Sequence, residues 1–271
     1  MNKDFILEGW DLKKVPSPSF VLHLEMLEEN LKTIDKVRKD AGVEVIMALK
    51  ANATWPIFPL LAEHSDGATA SSLSEARLIA EEMKCKAHIY APVYMEEEFE
   101  EILSYSSHLT FNSLSQWKRY GERAMSAGVS CGLRINPEYS TVDTDLYNPC
   151  SPQSRLGVRR DALTDWPTGI EGLHFHALCE SRPNDLYNTL RAVEEKFGHF
   201  FSSLKWINLG GGHLITHKDY DENVLIEILK DFKSRHPHLR IILEPGSAFT
   251  WDTGVLVSRV EDVLNNGGRN V

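Results

Sequence analysis

The sequence predicts an α/β chain folded as a (β/α)8, TIM-type barrel with an incomplete C-terminal β domain, and three observations carry that expectation. Short apolar runs alternate with amphipathic stretches from residue 43 to residue 244, the order and span of a closed parallel barrel, which typically needs ~200–250 residues. The glycine cluster Gly210-Gly211-Gly212 follows the seventh run, whereas a doubly wound sheet would place its glycine fingerprint early in the chain. Beyond Glu244 the alternation stops and hairpin chemistry begins.

Residues 1–17 are polar, end in Pro16-Ser17-Pro18 and read as a lead-in segment. Ser19 to Leu24 reads as a short strand. From Glu25 onward Leu27, Leu31, Ile34 and Val37 recur at the spacing of one helical face, and Gly42 offers the left-handed residue that ends a helix. Eight strands are then expected at 43–49, 67–70, 87–91, 108–111, 131–136, 170–176, 206–210 and 240–244. Ser72 with Glu75, and Ser113 with Gln116, have capping-box spacing, and Thr54 with Pro56 marks another helix entry. Residues 184–201 and 220–236 supply longer amphipathic helices. The stretch from Asn136 to Arg160 is a long irregular connection, the kind that in compact domains is functional or mobile. The barrel is thus expected over 18–250, and 251–271 reads as the start of a truncated β domain. In that part 254–264 is a strand-like run, and Asn265-Asn266-Gly267-Gly268 is a hairpin turn with no room for a returning strand.

With 271 residues, 42% hydrophobic and 25% charged, the composition is that of a globular protein with a sizeable core. A formal charge of −10 argues against nucleic acid or an anionic membrane as partner and suits a cationic ligand. Cys85, Cys131, Cys150 and Cys179 form no CxxC pair, so neither a zinc site nor a disulfide framework is expected, and no metal is assigned. Free thiols, the lack of a signal-peptide core and the lack of a spanning apolar run make the cytoplasm the expected compartment.

The strand ends carry the chemistry. The run Val43–Lys50 closes on an amine, which fits two readings: a side chain reaching into water, or a desolvated nucleophile at the carboxyl-terminal rim where barrels build active sites. Arg134 ends the fifth strand, His174-Phe175-His176 the sixth, Gly210-Gly211-Gly212 the seventh and Glu244-Pro245-Gly246 the eighth. Successive glycines leave N–H groups free to converge on an anion, although a tight turn alone would also use them. A lysine, a phosphate nest and a carboxylate are together what pyridoxal 5'-phosphate requires. Lys50 would form the Schiff base, the glycines would hold phosphate, Glu244 would pair with the pyridinium nitrogen and His176 would stack on the ring. For His174, packing at the rim is the preferred reading.

The runs ALKAN, GLHFHALCE, INLGGGHLIT and LEPG, in this order, resemble the alanine racemase-like, fold-type III pyridoxal phosphate decarboxylases, and among them the carboxynorspermidine decarboxylases, relatives of diaminopimelate and ornithine decarboxylases. Ser154-Arg155-Leu156-Gly157 and Cys179-Glu180 look like the same subfamily. The resemblance implies catalytic roles for Lys50 and His176; cofactor contacts from Arg134, Gly210, Gly211, Gly212, Glu244 and Gly246; and substrate contacts from Arg155, Glu180 and Ser247. It further implies decarboxylation of carboxynorspermidine or carboxyspermidine in polyamine biosynthesis, a homodimer, and a site completed by residues of a C-terminal β domain. Ser247 departs from the pattern, since the subfamily commonly has an acidic residue there and ornithine decarboxylases an arginine. Two alternatives stay open: a catalytically silent pyridoxal phosphate-binding barrel, and an amino acid racemase. Glu244 speaks against the racemase, because alanine racemases set an arginine against the ring nitrogen.

Overall fold

Parallel strands covered by helices on their outer face lose the alternating pattern of half-exposed strands, and the apolar runs of this chain behave accordingly. In the computed structural model, which describes residues 11–142 and 145–270, the first run forms β2 (Glu44–Val45) and β3 (Met47–Ala48). The next are β4 (Ala68–Ala70), β5 (Ala87–Tyr90), β6 (Ser106–Phe111) and β7 (Ser130–Arg134). The last are β8 (Gly172–His174), β9 (Trp206–Asn208) and β10 (Arg240–Leu243). They pair in parallel in the order β2-β10-β9-β8-β7-β6-β5-β4-β3.

β2 and β3 are two halves of one strand, and this closes the sheet. Ile46 N–H donates to Leu243 O at 2.9 Å on one side, while Met47 N–H donates to Gly67 O at 3.0 Å on the other. Counted as one, they make the described barrel eight-stranded, as expected. The bidentate pair from Arg240 to Glu44, at 2.7 Å for both bonds, fastens the same seam at the amino-terminal end of the strands.

The outer layer follows the sequence signals. Helix α1 (Leu24–Ala41) buries Leu27, Leu31, Ile34 and Val37 and stops at Gly42, whose φ is 63°. Then come α2 (Phe58–Glu63), α3 (Leu73–Leu78), α4 (Glu96–Tyr105), α5 (Leu114–Ser126), α6 (Pro183–Phe197) and α7 (Glu222–Arg235). Ser72 and Ser113 each accept the N–H three residues on, at 3.2 Å in both cases. Glu75 and Gln116 turn back one residue further than a standard capping box, to the N–H groups of Ser71 and Asn112. Thr54 makes no side-chain cap; the entry there is a 3-10 turn over Trp55–Ile57 that leads into α2.

Inside the barrel, register sets side chains in layers. Gly132, Gly172 and Trp206 are directly aligned, and so, one layer up, are Arg134, His174 and Asn208. The lower layer is filled mainly by one ring, the Trp206 indole. A Cβ on Gly172 would come within 1.9 Å of the Trp206 indole and one on Gly132 within 2.3 Å. Trp206 packs with Ile46 and Ile242 and donates its Nε1 to Ser130 Oγ at 3.0 Å. Stacked His88 and His108, with ring centroids 3.8 Å apart, complete this filling, and the Trp206 ring stands edge-on to His108. The upper layer is polar, and the site stands on it.

After α8 (Ser247–Thr250) the chain leaves the barrel. β11 (Gly254–Val257) pairs antiparallel with β1 (Ser19–Leu22), apart from the barrel sheet. Two expectations need correction here. The run 254–264 is strand only to Val257, because the residues beyond it find no described partner strand. The hairpin turn does have its return: β12 (Asn265–Asn266) pairs with β13 (Arg269–Asn270) through Gly267 and Gly268, both at positive φ. Residues 1–10 of the expected lead-in segment lie outside the described residues. The connection from Asn136 to Arg160 is irregular where described apart from a 3-10 turn at Asp145–Tyr147, and is pinned by a bridge between Ile135 and Val158.

Candidate active site

Each chemical side chain stands at or just past the carboxyl-terminal end of its strand, so the barrel aims them at a common mouth. Lys50 lies two residues beyond β3, on a turn closed by Ala51 N–H to Ala48 O at 3.1 Å. Its side chain is reachable by water and yet enclosed by protein on most sides. Burial therefore lowers its pKa, opposed by the nearby Glu244 carboxylate and reinforced by the Arg134 guanidinium. A lysine so placed has more of its amine in the neutral, nucleophilic form at neutral pH than a surface lysine does.

Glu244 is buried, 5% exposed, one residue past β10. Burial raises its pKa, while a hydrogen bond from Asn208, the charge of Lys50 and a hydrogen bond from Thr69 act to keep it ionised. Asn208 Nδ2 donates to Glu244 Oε1 at 2.7 Å, and His174 Nε2 stands 3.7 Å from Oε2. His174, His176 and Glu244 lie together, their nearest polar atoms within 4.8 Å of one another. Burial and the charges of Lys50 and Arg134 depress both histidines far below the ordinary imidazole value, so both rings are neutral at pH 7. His174 is thus a member of this buried cluster.

Arg134, also 5% exposed, donates from Nη2 to His176 O at 3.2 Å and lies over the Tyr90 ring, 4.7 Å from its centroid. The structure brings Lys50, Arg134, His176 and Glu244 into one electrostatically coupled group. The glycines sit beside it: a Cβ on Gly211 would come within 2.4 Å of Glu244 O, and one on Gly210 within 2.5 Å of Phe175 O. Close backbone approach therefore demands glycine here whatever else binds. The Gly210 N–H goes to Asn208 Oδ1 at 2.9 Å and the Gly211 N–H to His176 Nδ1 at 3.3 Å, so two of the three amides already have protein partners. Gly246 is packed against Ala51, where a Cβ would come within 2.4 Å of the alanine methyl.

Three residues expected to meet substrate stand further out. Arg155 is exposed, its carbonyl accepting from Asn112 Nδ2 at 2.9 Å, and its charge reaches Tyr90. It lines a cavity of about 670 Å³ in the connection after β7. Glu180 is exposed at φ 46°, next to the exposed Cys179. Ser247 is exposed at the start of α8. The four cysteines are free.

Residues 24–251 match the family model of the pyridoxal-dependent decarboxylases, specifically their pyridoxal-binding domain. The chain belongs to the pyridoxal-dependent decarboxylases. This decarboxylase chain is 49% identical over 260 residues to carboxyaminopropylagmatine decarboxylase of Synechocystis sp., covering 96% of this chain and 67% of that protein. It is 39% identical to carboxynorspermidine/carboxyspermidine decarboxylase of Campylobacter jejuni, covering 94% of this chain and 66% of that one. The crystal structure of carboxynorspermidine decarboxylase from Campylobacter jejuni complexed with norspermidine superimposes with a TM-score of 0.85 at 37% identity, over 93% of this chain and 66% of that one. Diaminopimelate decarboxylase of Helicobacter pylori, complexed with L-lysine, shares the fold with a TM-score of 0.75 at 18% identity, over 93% of this chain and 69% of that one. The chain thus spans about two thirds of the length of its curated relatives.

The decarboxylase cofactor, pyridoxal 5'-phosphate, suits this donor set. It needs an amine, a carboxylate and buried polar groups that the protein itself leaves open. Both ring nitrogens of His174 and the Nε of Arg134 are buried without a hydrogen-bond partner among the described residues, which leaves polar groups open to a polar ligand in the mouth.

Sequence reasoning missed Asn208, Tyr90, Thr69 and Asn112. Asn208 carried a signal, being a polar residue in the last position of an apolar strand, two residues ahead of Gly210. Asn112 donates to Arg155 O and accepts from Tyr90 and from Gly157 N–H, but those partners are 22 to 45 residues away and no local pattern marks them.

Proposed function

We propose that this chain carries the cofactor barrel of an enzyme that removes CO2 from the amino acid end of a carboxyaminopropyl-substituted polyamine, with a guanidino or amino group at the other end. The reading covers carboxyaminopropylagmatine, carboxynorspermidine and carboxyspermidine, the compounds in its relatives' names. The observation that carries it is the buried Glu244 carboxyl, held by Asn208 and within electrostatic reach of Lys50 at one strand-end cluster, since an acidic partner there favours a protonated ring nitrogen. The protein's charge of −10 supports a polycationic substrate.

When bound, pyridoxal phosphate supplies the electron sink that lets a carboxylate leave an α-carbon as CO2. The chain's own residues do the rest. The Lys50 amine would anchor the cofactor and could hold a proton at Nζ. Glu244, one oxygen of which is held by Asn208, would pair with the ring nitrogen. The neutral His176 ring, held by the Gly211 N–H, would stack on the cofactor. Gly212 and its neighbours would receive the phosphate, with Gly246 past the end of the adjacent strand β10. Arg134 would balance the negative charge of the bound group, and Arg155 and Glu180 would meet the substrate's carboxylate and amines, with Ser247 as a further substrate contact. A homodimer in the cytoplasm, with a further β domain begun by β1 and β11, belongs to the same reading.

A panel assay tests it. Pyridoxal phosphate-loaded protein, as this chain and extended at its C-terminus to the length of its relatives, is given carboxyaminopropylagmatine, carboxynorspermidine, carboxyspermidine, diaminopimelate and ornithine. CO2 release is expected from one of the first three and not from the last two. Release from none of the five, or from diaminopimelate or ornithine alone, contradicts the proposal.

A further inference from the structure

Asn208 stands between two parts of the site that the chain reaches by different strands. It is buried, 2% exposed, at the last position of β9. Its Nδ2 donates to Glu244 Oε1 at 2.7 Å, and its Oδ1 accepts the N–H of Gly210 at 2.9 Å. The main chain repeats the link, since Glu244 N–H donates to Gly210 O at 2.8 Å and Phe175 N–H to Asn208 O at 3.0 Å. The Gly210 amide can only donate, so the carboxamide oxygen must face it, and the amide nitrogen is thereby turned to the carboxylate. A hydrogen bond to the charged form of a buried acid favours that form, and only a side chain with a donor and an acceptor at this spacing serves both partners.

The geometry points to Asn208 as a positioning residue that locks one oxygen of Glu244 and the start of the glycine turn in a single frame, leaving the other oxygen of Glu244 for the cofactor's ring nitrogen. Asparagine suits the role where close analogues do not. An aspartate would accept from Gly210 but would set a second negative charge on Glu244, and a leucine would strand two buried polar groups. The role in the loaded enzyme rests on the pyridoxal phosphate reading above, while the hydrogen-bonded frame itself does not.

Two measurements test it separately. In the cofactor-free chain labelled with carboxyl-¹³C glutamate, the Glu244 signal is the one missing from Glu244→Gln, and its titration is followed by NMR. Asn208→Leu and the isosteric Asn208→Asp are both expected to raise its midpoint by about one pH unit or more, a roughly tenfold gain in proton affinity. A midpoint unmoved in both variants overturns the inference. In the second measurement pyridoxal phosphate affinity is read for Asn208→Asp alone and combined with Glu244→Gln. A loss of about tenfold is expected with Glu244 in place, and less than twofold in the Glu244→Gln background, where the new amide can donate to the new carboxylate. Equal losses in both backgrounds would mean a merely structural role and overturn the inference. Wild-type protein that binds no pyridoxal phosphate would contradict the functional reading, with the NMR titration still deciding the frame.

Discussion

At the scale of the residue, the site works by disagreement between neighbouring groups over where protons belong. Burial lowers the pKa of Lys50 and raises that of Glu244, while each one's charge pushes the other back. Removing the carboxylate removes the influence that holds Lys50 protonated. Glu244→Gln should therefore move the pH midpoint of pyridoxal phosphate attachment, followed by visible absorbance, to lower pH, while decarboxylation falls on the order of 10²–10³-fold, as when one preorganised electrostatic group is lost. A midpoint that moves upward would show that the pair is not coupled. Lys50→Ala should cost on the order of 10²–10⁴-fold in turnover, the range for a positioned proton-transfer group, and should also remove the imine band. The two readings of this lysine left open by its own stretch are separated by the company it keeps. Glu244 and Arg134 are 194 and 84 positions away in the chain, and only the barrel brings their charges to it.

At the scale of the element, register explains why chemical side chains collect at one end and a plug at the other. The aligned glycines of β7 and β8 exist because Trp206 needs their space. Gly172→Ala would put a methyl inside the indole and should destabilise the protein by about 3 kcal/mol, the upper range for overpacking. Trp206→Ala should cost about 3–5 kcal/mol through the cavity it leaves. Chemical denaturation measures both. The plug also titrates. Burial and the charge of Arg240 pull His108 down to about 4, and burial holds His88 well below the ordinary imidazole value. Between its unfolded value of about 6.5 and its folded value of about 4, the unfolded chain binds a proton that the folded chain refuses, so stability falls as pH drops through that window. Glu244, with its raised pKa, acts in the opposite sense above the ordinary glutamate range. Melting temperature should decline from pH 6.5 to pH 4 and decline less steeply in His108→Gln, whereas parallel declines would contradict the assignment. Strand positions were readable because buried parallel strands are plain apolar runs. The split of the first strand at Ile46 was not readable, since it arises from bonding to a neighbour on each side, 21 residues away at Gly67 and 197 away at Leu243. The rigid demand for glycine at 210 and 211 was likewise hidden, because it comes from carbonyls of other strand ends.

At the scale of the whole molecule, the sequence resemblance and the physical reading converge on one barrel. The strand-end cluster proposed to hold the cofactor is legible from strand-end residues, whereas the positions of Arg155, Glu180 and Ser247 depend on segments whose course no local pattern fixes. Because the chain spans about two thirds of its relatives' length, turnover by this chain is expected to be at least about tenfold below that of a version extended to their full length, as measured by CO2 release. Equal turnover would show that the barrel suffices. The net charge of −10 adds a second expectation, that kcat/KM for a polycationic substrate falls as salt rises, since screening weakens long-range attraction. The central claim is that pyridoxal phosphate is held at the barrel mouth by Lys50, and the most direct measurement is borohydride reduction of the loaded protein followed by peptide mass spectrometry. The account predicts a single reduced adduct on Lys50 and none in Lys50→Ala. An adduct on another lysine, or no adduct at all, would contradict it.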